Sequence, residues 1–298
     1  LAAAPARAQP PQTATAPVFA ARVESVYVDA FVAHDGVPVR GLTAENFVLE
    51  DEGVVQPVEL VRADGVPLVS VLAFDVSRSV TGGKLRALQI AGAAFLEGLA
   101  DADEASLVTF NEEVSWLVPP TPDKARVAVA LSTLRPNGGT AVYDGLFAAA
   151  SVPTSPARPL VVVFSDGEDN GSWIDERQLK DALARSNALV HVVGLAPEKA
   201  QKTELNRDAG IRVAAYEPRH AMILRQMAES TGGRFWRADS GDHLSSAFAS
   251  IAEAMRHRYL LRFEPPAGAK PGWRRLEVRL KNAKGEVQAR RGYWAGSE

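Results

Sequence analysis

Four apolar runs govern what this chain can become: "LVSVLAFD" at 68–75, "ASLVTF" at 105–110, "PLVVVFSD" at 159–166 and "ALVHVVGL" at 188–195. Each is short and almost unbroken in hydrophobicity, the pattern of a strand covered on both faces. Helical segments separate them. "GKLRALQIAGAAFLEGLA" sets Leu85, Leu88, Phe95 and Leu99 on one face, and "RQMAES" runs into a Thr231-Gly232-Gly233 stop. Buried strands alternating with helices give a parallel sheet with helices on both sides. "ASLVTFNEEVSWLVPP" holds two strands too close together for a crossover helix, so one antiparallel edge strand is expected. The predicted fold is α/β, a doubly wound and mainly parallel sheet over residues 66–258.

The ends of the chain read differently. "ARVESVYVDAFVAHDG" is rich in β-branched and aromatic residues and stops at the turn signal Asp35-Gly36. "FVLEDEGVVQPVELV" reads as two short strands with Gly53 near their turn. "WRRLEVRLK" alternates Leu276, Val278 and Leu280 with charged residues, a strand with one wet face, and "HRYLLRFEPP" and "VQARRGYW" flank it as further strands. Neither end has strands enough for its own core. Segments 18–65 and 259–298 are therefore expected to pack together as one small β-sandwich, with the α/β domain inserted between them.

Residues 1–17, "LAAAPARAQPPQTATAP", resemble the tail of a secretory signal peptide, with Ala6-Arg7-Ala8 as its cleavage site. Export to a periplasm or to the outside of the cell is the expectation; the bland alternative is an Ala/Pro-rich leader. No run of 18 or more apolar residues occurs, so no transmembrane helix is expected. Among the 298 residues, 33 basic and 36 acidic side chains leave a formal charge of -3, which offers no field for nucleic acid or anionic lipid. The absence of cysteine excludes disulfides, thiolate zinc sites and thiol nucleophiles.

Two of the buried runs end in aspartate, Asp75 and Asp166. In open parallel sheets ligands bind at the carboxyl ends of strands where the strand order reverses, and the first and fourth strands flank that point. Two carboxylates placed close together repel and raise each other's pKa, which a divalent cation between them relieves. After Asp75 come Ser77 and Ser79; in an extended loop, residues two apart point the same way. Their oxygens would then converge, with Val76 and Arg78 turned away. In "RPNGGTAVYDGLFAAA" the pair Gly138-Gly139 permits a tight turn, and Thr140 is expected to cap the next helix or to reach the metal. A hard cation such as Mg²⁺ takes about six oxygens and keeps some as water.

Asp75-x-Ser77-x-Ser79, Thr140 in "GGT" and Asp166 in "FSDGEDN" resemble, in type and order, the metal-ion-dependent adhesion site of von Willebrand factor type A domains, which have a Rossmann-like fold. The flanking β segments are similar to those of exported bacterial proteins of that kind. The resemblance implies direct ligation of Mg²⁺ (or Mn²⁺) by Ser77, Ser79 and Thr140. It implies that Asp75 and Asp166 bind directly or through water. It also implies a protein partner that completes the shell with an acidic side chain, and no enzyme activity. The long charged loop at 196–221 departs from the pattern; it is either a candidate for ligand choice or an unrelated surface excursion.

Other features read more plainly. Glu168 and Asp169 are expected as solvated rim charges, Asp144 as a structural group in the first turn of a helix, and His191 as a satisfied core residue. The five histidines lack metal-ligand spacing, "TGGKL" does not meet the phosphate-loop pattern, and no G-x-S-x-G occurs. The rival enzyme is a phosphatase of the haloacid-dehalogenase type with Asp75 as nucleophile. It lacks its proton shuttle, because Ser77 stands where a second aspartate is needed. A third reading makes the metal a brace for the fold.

Overall fold

A computed structural model describes residues 25–61, 66–152, 158–165, 168–195, 219–266 and 268–296. The amino-terminal segment supplies strands β1 (Val26–His34), β2 (Val37–Pro38), β3 (Phe47–Asp51), β4 (Val54–Gln56) and β5 (Glu59–Val61). The middle runs β6 (Leu68–Asp75), α1 (Gly83–Glu97), β7 (Glu104–Phe110), β8 (Val114–Thr121), α2 (Lys124–Ser132), α3 (Val142–Ala150) and β9 (Arg158–Ser165). It continues with α4 (Glu176–Arg185), β10 (Leu189–Leu195), α5 (Arg219–Ser230), β11 (Phe235–Ala238) and α6 (Gly241–Arg256). The carboxyl-terminal strands are β12 (Arg258–Phe263), β13 (Gly272–Leu280), β14 (Glu286–Gln288) and β15 (Gly292–Ala295).

The central sheet has the order β11-β10-β9-β6-β7-β8. Its pairings are parallel except that of β8 with β7, which makes β8 the antiparallel edge that the short connection foretells. The chain leaves β6 toward β7 in one direction and returns to β9 on the other side. The reversal of strand order therefore falls between β6 and β9, where this architecture opens its crevice. Every residue of β6 is buried. Leu72, Phe74, Val162 and Phe164 pack under α1, α2 and α6, while Val71, Ala73, Val161 and Val163 pack under α3, α4 and α5. Phe74 touches Phe164 and Phe248 edge-on, at centroid distances of 6.3 and 5.8 Å. Each of these buried rings contributes roughly 1.5–3 kcal/mol from apolar area.

The terminal strands form two further sheets, β14-β1-β12-β5 with β2 on β1, and β15-β13-β3-β4. Val28, Ala30, Phe47, Leu49, Phe263, Leu276 and Tyr293 from both sheets share one core. The segment 47–61 holds three strands rather than two. Pro57 cannot donate a ladder hydrogen bond, and after it β5 leaves β3 and β4 to pair with β12 in the other sheet. "VQARRGYW" likewise splits, into β14 on β1 and β15 on β13. Among the described residues no helix is long and apolar enough to cross a membrane. Residues 1–17 and 196–218 lie outside the described residues.

Candidate metal centre

Strand β6 ends at Asp75, whose side chain is buried. One carboxylate oxygen accepts the Ser77 N–H at 2.8 Å and the other accepts the Ser165 hydroxyl at 2.7 Å. The first of these is an Asx turn, a bond from an aspartate to its own chain two residues on, and it folds the backbone back at the strand end. Ser77 Oγ and Ser79 Oγ then lie 2.9 Å apart. The chain here is turned, not extended: the Val80 N–H reaches the Ser77 carbonyl at 3.0 Å, and Val76 and Val80 insert into the core while Arg78 faces solvent. A tight turn rather than strand geometry thus brings Ser77 and Ser79 together.

The loop at 137–140 is stitched to this turn. Asn137 N–H donates to the Val76 carbonyl at 2.8 Å, and Arg78 N–H donates to the Gly138 carbonyl at 3.2 Å. Gly138 has φ +72, a backbone conformation that favours glycine, and a Cβ there would displace the Glu112 carboxylate, 2.7 Å away. Glu112 accepts the Gly139 N–H at 2.8 Å. Thr140 is buried, and its N–H donates to Asn170 Oδ1 at 2.9 Å. Its carbonyl accepts the N–H groups of Asn170 and Gly171 at 2.9 and 3.0 Å. Thr140 does not cap the helix: α3 begins at Val142, with Ala141 in the cap position and no side-chain cap bond. Its backbone is committed to the 168–172 loop instead.

Asp144, in the first turn of α3, accepts the N–H groups of Trp173 and Ile174 at 2.9 and 3.1 Å, a structural role. Asp169 is not a free rim charge. It accepts from Ser172 Oγ at 2.5 Å and from the Tyr143 N–H at 3.4 Å, and with burial as the larger cause it raises the Tyr143 pKa. Glu168 lies 3.4 Å from His220 Nδ1 at the start of α5. His191, buried in β10, accepts the Arg234 N–H and Trp236 Nε1–H at Nδ1, while its Nε2 has no partner. It is a core residue satisfied on one side only.

Asp166 lies outside the described residues; it follows directly after Ser165, the residue bonded to Asp75. Asp75, Ser77 and Ser79 are joined by hydrogen bonds, and the Thr140 loop is joined to them through the backbone. Ser165, Glu112 and Asn170 were invisible as site-builders, because their roles depend on which loops the topology assembles. Two of them sit in "FSDGEDN" itself, Ser165 directly before Asp166 and Asn170 directly after Asp169. Among the described residues, no three His, Asp or Glu side chains gather as a ready-made cation site. The donor set fits a hard cation: neighbouring corners of an octahedron with 2.0–2.1 Å bonds stand about 2.9 Å apart, the separation of the two serine oxygens.

Residues 70–168 match the family model of the von Willebrand factor type A domain. That match spans about a third of the chain, and the fold is like that of von Willebrand factor type A proteins. A UPF0353 protein of Mycolicibacterium paratuberculosis is 27% identical over 233 residues, covering 70% of this chain and 67% of that protein. A second, from Nocardia farcinica, is 26% identical over 206 residues, covering 61% of this chain and 62% of that protein. The chain thus spans about two thirds of the length of these bacterial relatives. Among solved structures, a von Willebrand factor type A protein from Catenulispora acidiphila superposes with a TM-score of 0.52 at 15% identity, over 85% of this chain and 73% of that one. Proximal thread matrix protein 1 from the mussel byssus, with a zinc-occupied MIDAS motif, gives 0.52 at 16% identity over 68% and 49% of the two chains. At these identities the structural likeness establishes the fold.

Proposed function

We propose that Asp75, Ser77, Ser79, Thr140 and Asp166 hold one divalent cation, Mg²⁺ or Mn²⁺, and that an acidic side chain of a partner protein completes its shell. The protein is then a non-enzymatic recognition module, secreted or periplasmic. Residues 66–258 present the ion, and segments 18–65 and 259–298 support that domain. The observation that carries this reading is the stitched pair of loops at the strand-order reversal, with the serine hydroxyls 2.9 Å apart beside the buried Asp75. The zinc-occupied MIDAS motif of the mussel protein supports it by analogy of fold. Two carboxylates against a doubly charged ion leave it neutral only when both bind directly; any water-mediated aspartate leaves it electrophilic toward a third carboxylate.

The test is calorimetric titration of Mg²⁺ and Mn²⁺ into chelator-stripped protein, wild type beside Asp75→Ala. One ion per wild-type chain and none per variant is the expected result. Uptake by Asp75→Ala equal to wild type removes the site. Capture of a protein partner from envelope extract, repeated with chelator, then separates recognition from bracing. A recognition site loses its partner on chelation and in Asp75→Ala, whereas a brace retains it in the variant.

A further inference from the structure

One large apolar side chain stands apart on the described surface. Trp173 is 91% exposed, while the next most exposed, Val37 and Val129, are at 66% and 65%. The other four tryptophans are each engaged. Trp116 donates to Ser106 Oγ and the Val118 carbonyl at 2.9 and 3.1 Å, and Trp236 donates to His191 and lies under Arg234. Arg185 stacks 3.7 Å from the Trp294 ring centroid, and Trp273 lies so close over Gly292 that a Cβ there would come within 2.3 Å of its ring.

The loop bearing Trp173 is tightly anchored. Trp173 and Ile174 both donate their N–H groups to Asp144, and Ile174 packs against the core under α3 and α4. Asp175 then caps α4 with a reciprocal capping box to Gln178. Two residues before Trp173, Gly171 is bonded to the Thr140 carbonyl, so the Trp173 Cα stands within about 7 Å of a residue held directly by Thr140. Asp144, which pins the tryptophan, is on the helix that Thr140 leads into. An indole held out in water on a rigid mount beside the candidate site has little ordering entropy left to lose on association. It also offers the largest apolar area of any side chain, which is why tryptophan dominates the energetics of protein interfaces.

We propose that Trp173 is the apolar anchor of the recognition surface. The partner is a protein that presents an acidic side chain to the ion and, beside it, an aliphatic or aromatic hollow that receives the indole. The inference rests on the metal-dependent reading above, and its test is chosen to fail separately from that reading. The probe is a phage-displayed library of random 12-residue peptides, selected on the full chain in Mg²⁺.

The enriched peptides are expected to carry an acidic residue and, at a fixed spacing, a large apolar one. The tightest peptide should bind Trp173→Ala at least about 30-fold more weakly, the scale of an interface hot spot, and Trp173→Phe only a few-fold more weakly. Mg²⁺ uptake by both variants should equal that of wild type. Asp75→Ala should abolish peptide binding altogether. Metal-dependent binding that is indifferent to Trp173→Ala overturns this inference and leaves the metal reading standing. Binding that survives Asp75→Ala overturns both.

Discussion

The two ends of the central sheet treat buried charge in opposite ways. At the amino ends of the strands, where the α/β domain meets the terminal sheets, Asp29 on β1 is ion-paired with Arg158 at the start of β9 and faces Arg258 at the start of β12, 3.7 Å away. Arg258 also donates to the carbonyls of Asp29 and Gly232, each at 3.0 Å. Arg290 spans the same junction, donating to Asn187 Oδ1 and the Ser186 carbonyl at 2.9 and 3.0 Å. Burial lowers the pKa of both Arg258 and Arg290 to about 10, which still leaves them charged at neutral pH. Deeper in the terminal sheets, Asp51 takes a two-pronged bond from Arg274 at 2.9 and 2.8 Å. At the carboxyl ends Asp75 instead accepts from a backbone N–H and a serine hydroxyl, both neutral. Carboxylates at the first end meet arginines of the same chain, a closed arrangement that fixes how the parts dock. The second end ties its carboxylate to the neighbouring turn and to the adjacent strand through neutral donors.

Removing the acid of the closed end should have the largest consequence. Asp29→Ala strands Arg158 and Arg258 in a buried position, and breaking a buried pair from one side costs about 3–5 kcal/mol. Asp29 itself keeps a fifth of its side chain in solvent, which places the expected loss near the lower figure. Urea unfolding followed by circular dichroism measures it. A loss below about 1 kcal/mol would show that water already satisfies the arginines and that the contrast between the two ends is superficial. Mg²⁺ uptake by the folded variant should match wild type, because among the described residues no bond joins Asp29 to the loops at 75–80 and 137–140.

A smaller effect is expected at the open end. Asp144→Ala removes two backbone bonds to a carboxylate, from Trp173 and Ile174. Hydrogen bonds to charged groups contribute roughly 1.5–3 kcal/mol each, reduced where water can replace the acceptor. Trp173 is exposed and Ile174 partly buried, so the stability loss should be about 2 kcal/mol. Hydrogen exchange should locate it at the amides of 170–175. Exchange rates unchanged in that loop would mean that the Asn170 and Gly171 bonds to Thr140 hold it alone.

The architecture was legible because its signals are local. Unbroken apolar strands report burial on both faces, and the nearness of β7 to β8 reports an antiparallel edge. Asp75, Ser77 and Ser79 stood out because polar residues at the end of a buried run need a reason. What stayed hidden depends on long-range placement. Nothing in the sequence links Asp29 to Arg158, or tells that the 47–61 segment changes sheets after Pro57. Of the two roles the sequence offers Thr140, helix cap or metal ligand, the structure excludes the cap, although a threonine ahead of a helix ordinarily is one. Its amide is instead captured by Asn170, 30 residues away, and no local pattern encodes that.

The closed end also carries a pH dependence. His191 lies in β10 with its ring buried, and its Nδ1 accepts two N–H groups, which places the ring's one proton on Nε2 in the neutral form. Burial, and then the charges of Arg258 and Arg234, lower its pKa from 6.5 to about 3, with the hydrogen bond from Arg234 opposing in part. The unfolded chain therefore binds a proton at this residue as pH falls below about 6.5, while the folded chain does not until about 3. Stability from this group is fully present above 6.5 and declines toward 3. The steepest slope one proton can impose is about 1.4 kcal/mol per pH unit. Urea midpoints between pH 6.5 and 4.5, above the main carboxylate range, should fall for wild type and fall less steeply for His191→Gln, whose amide can still accept from Arg234. Parallel slopes for the two proteins would mean that water reaches the ring, and that this end of the sheet is less sealed than its arginine pairs require.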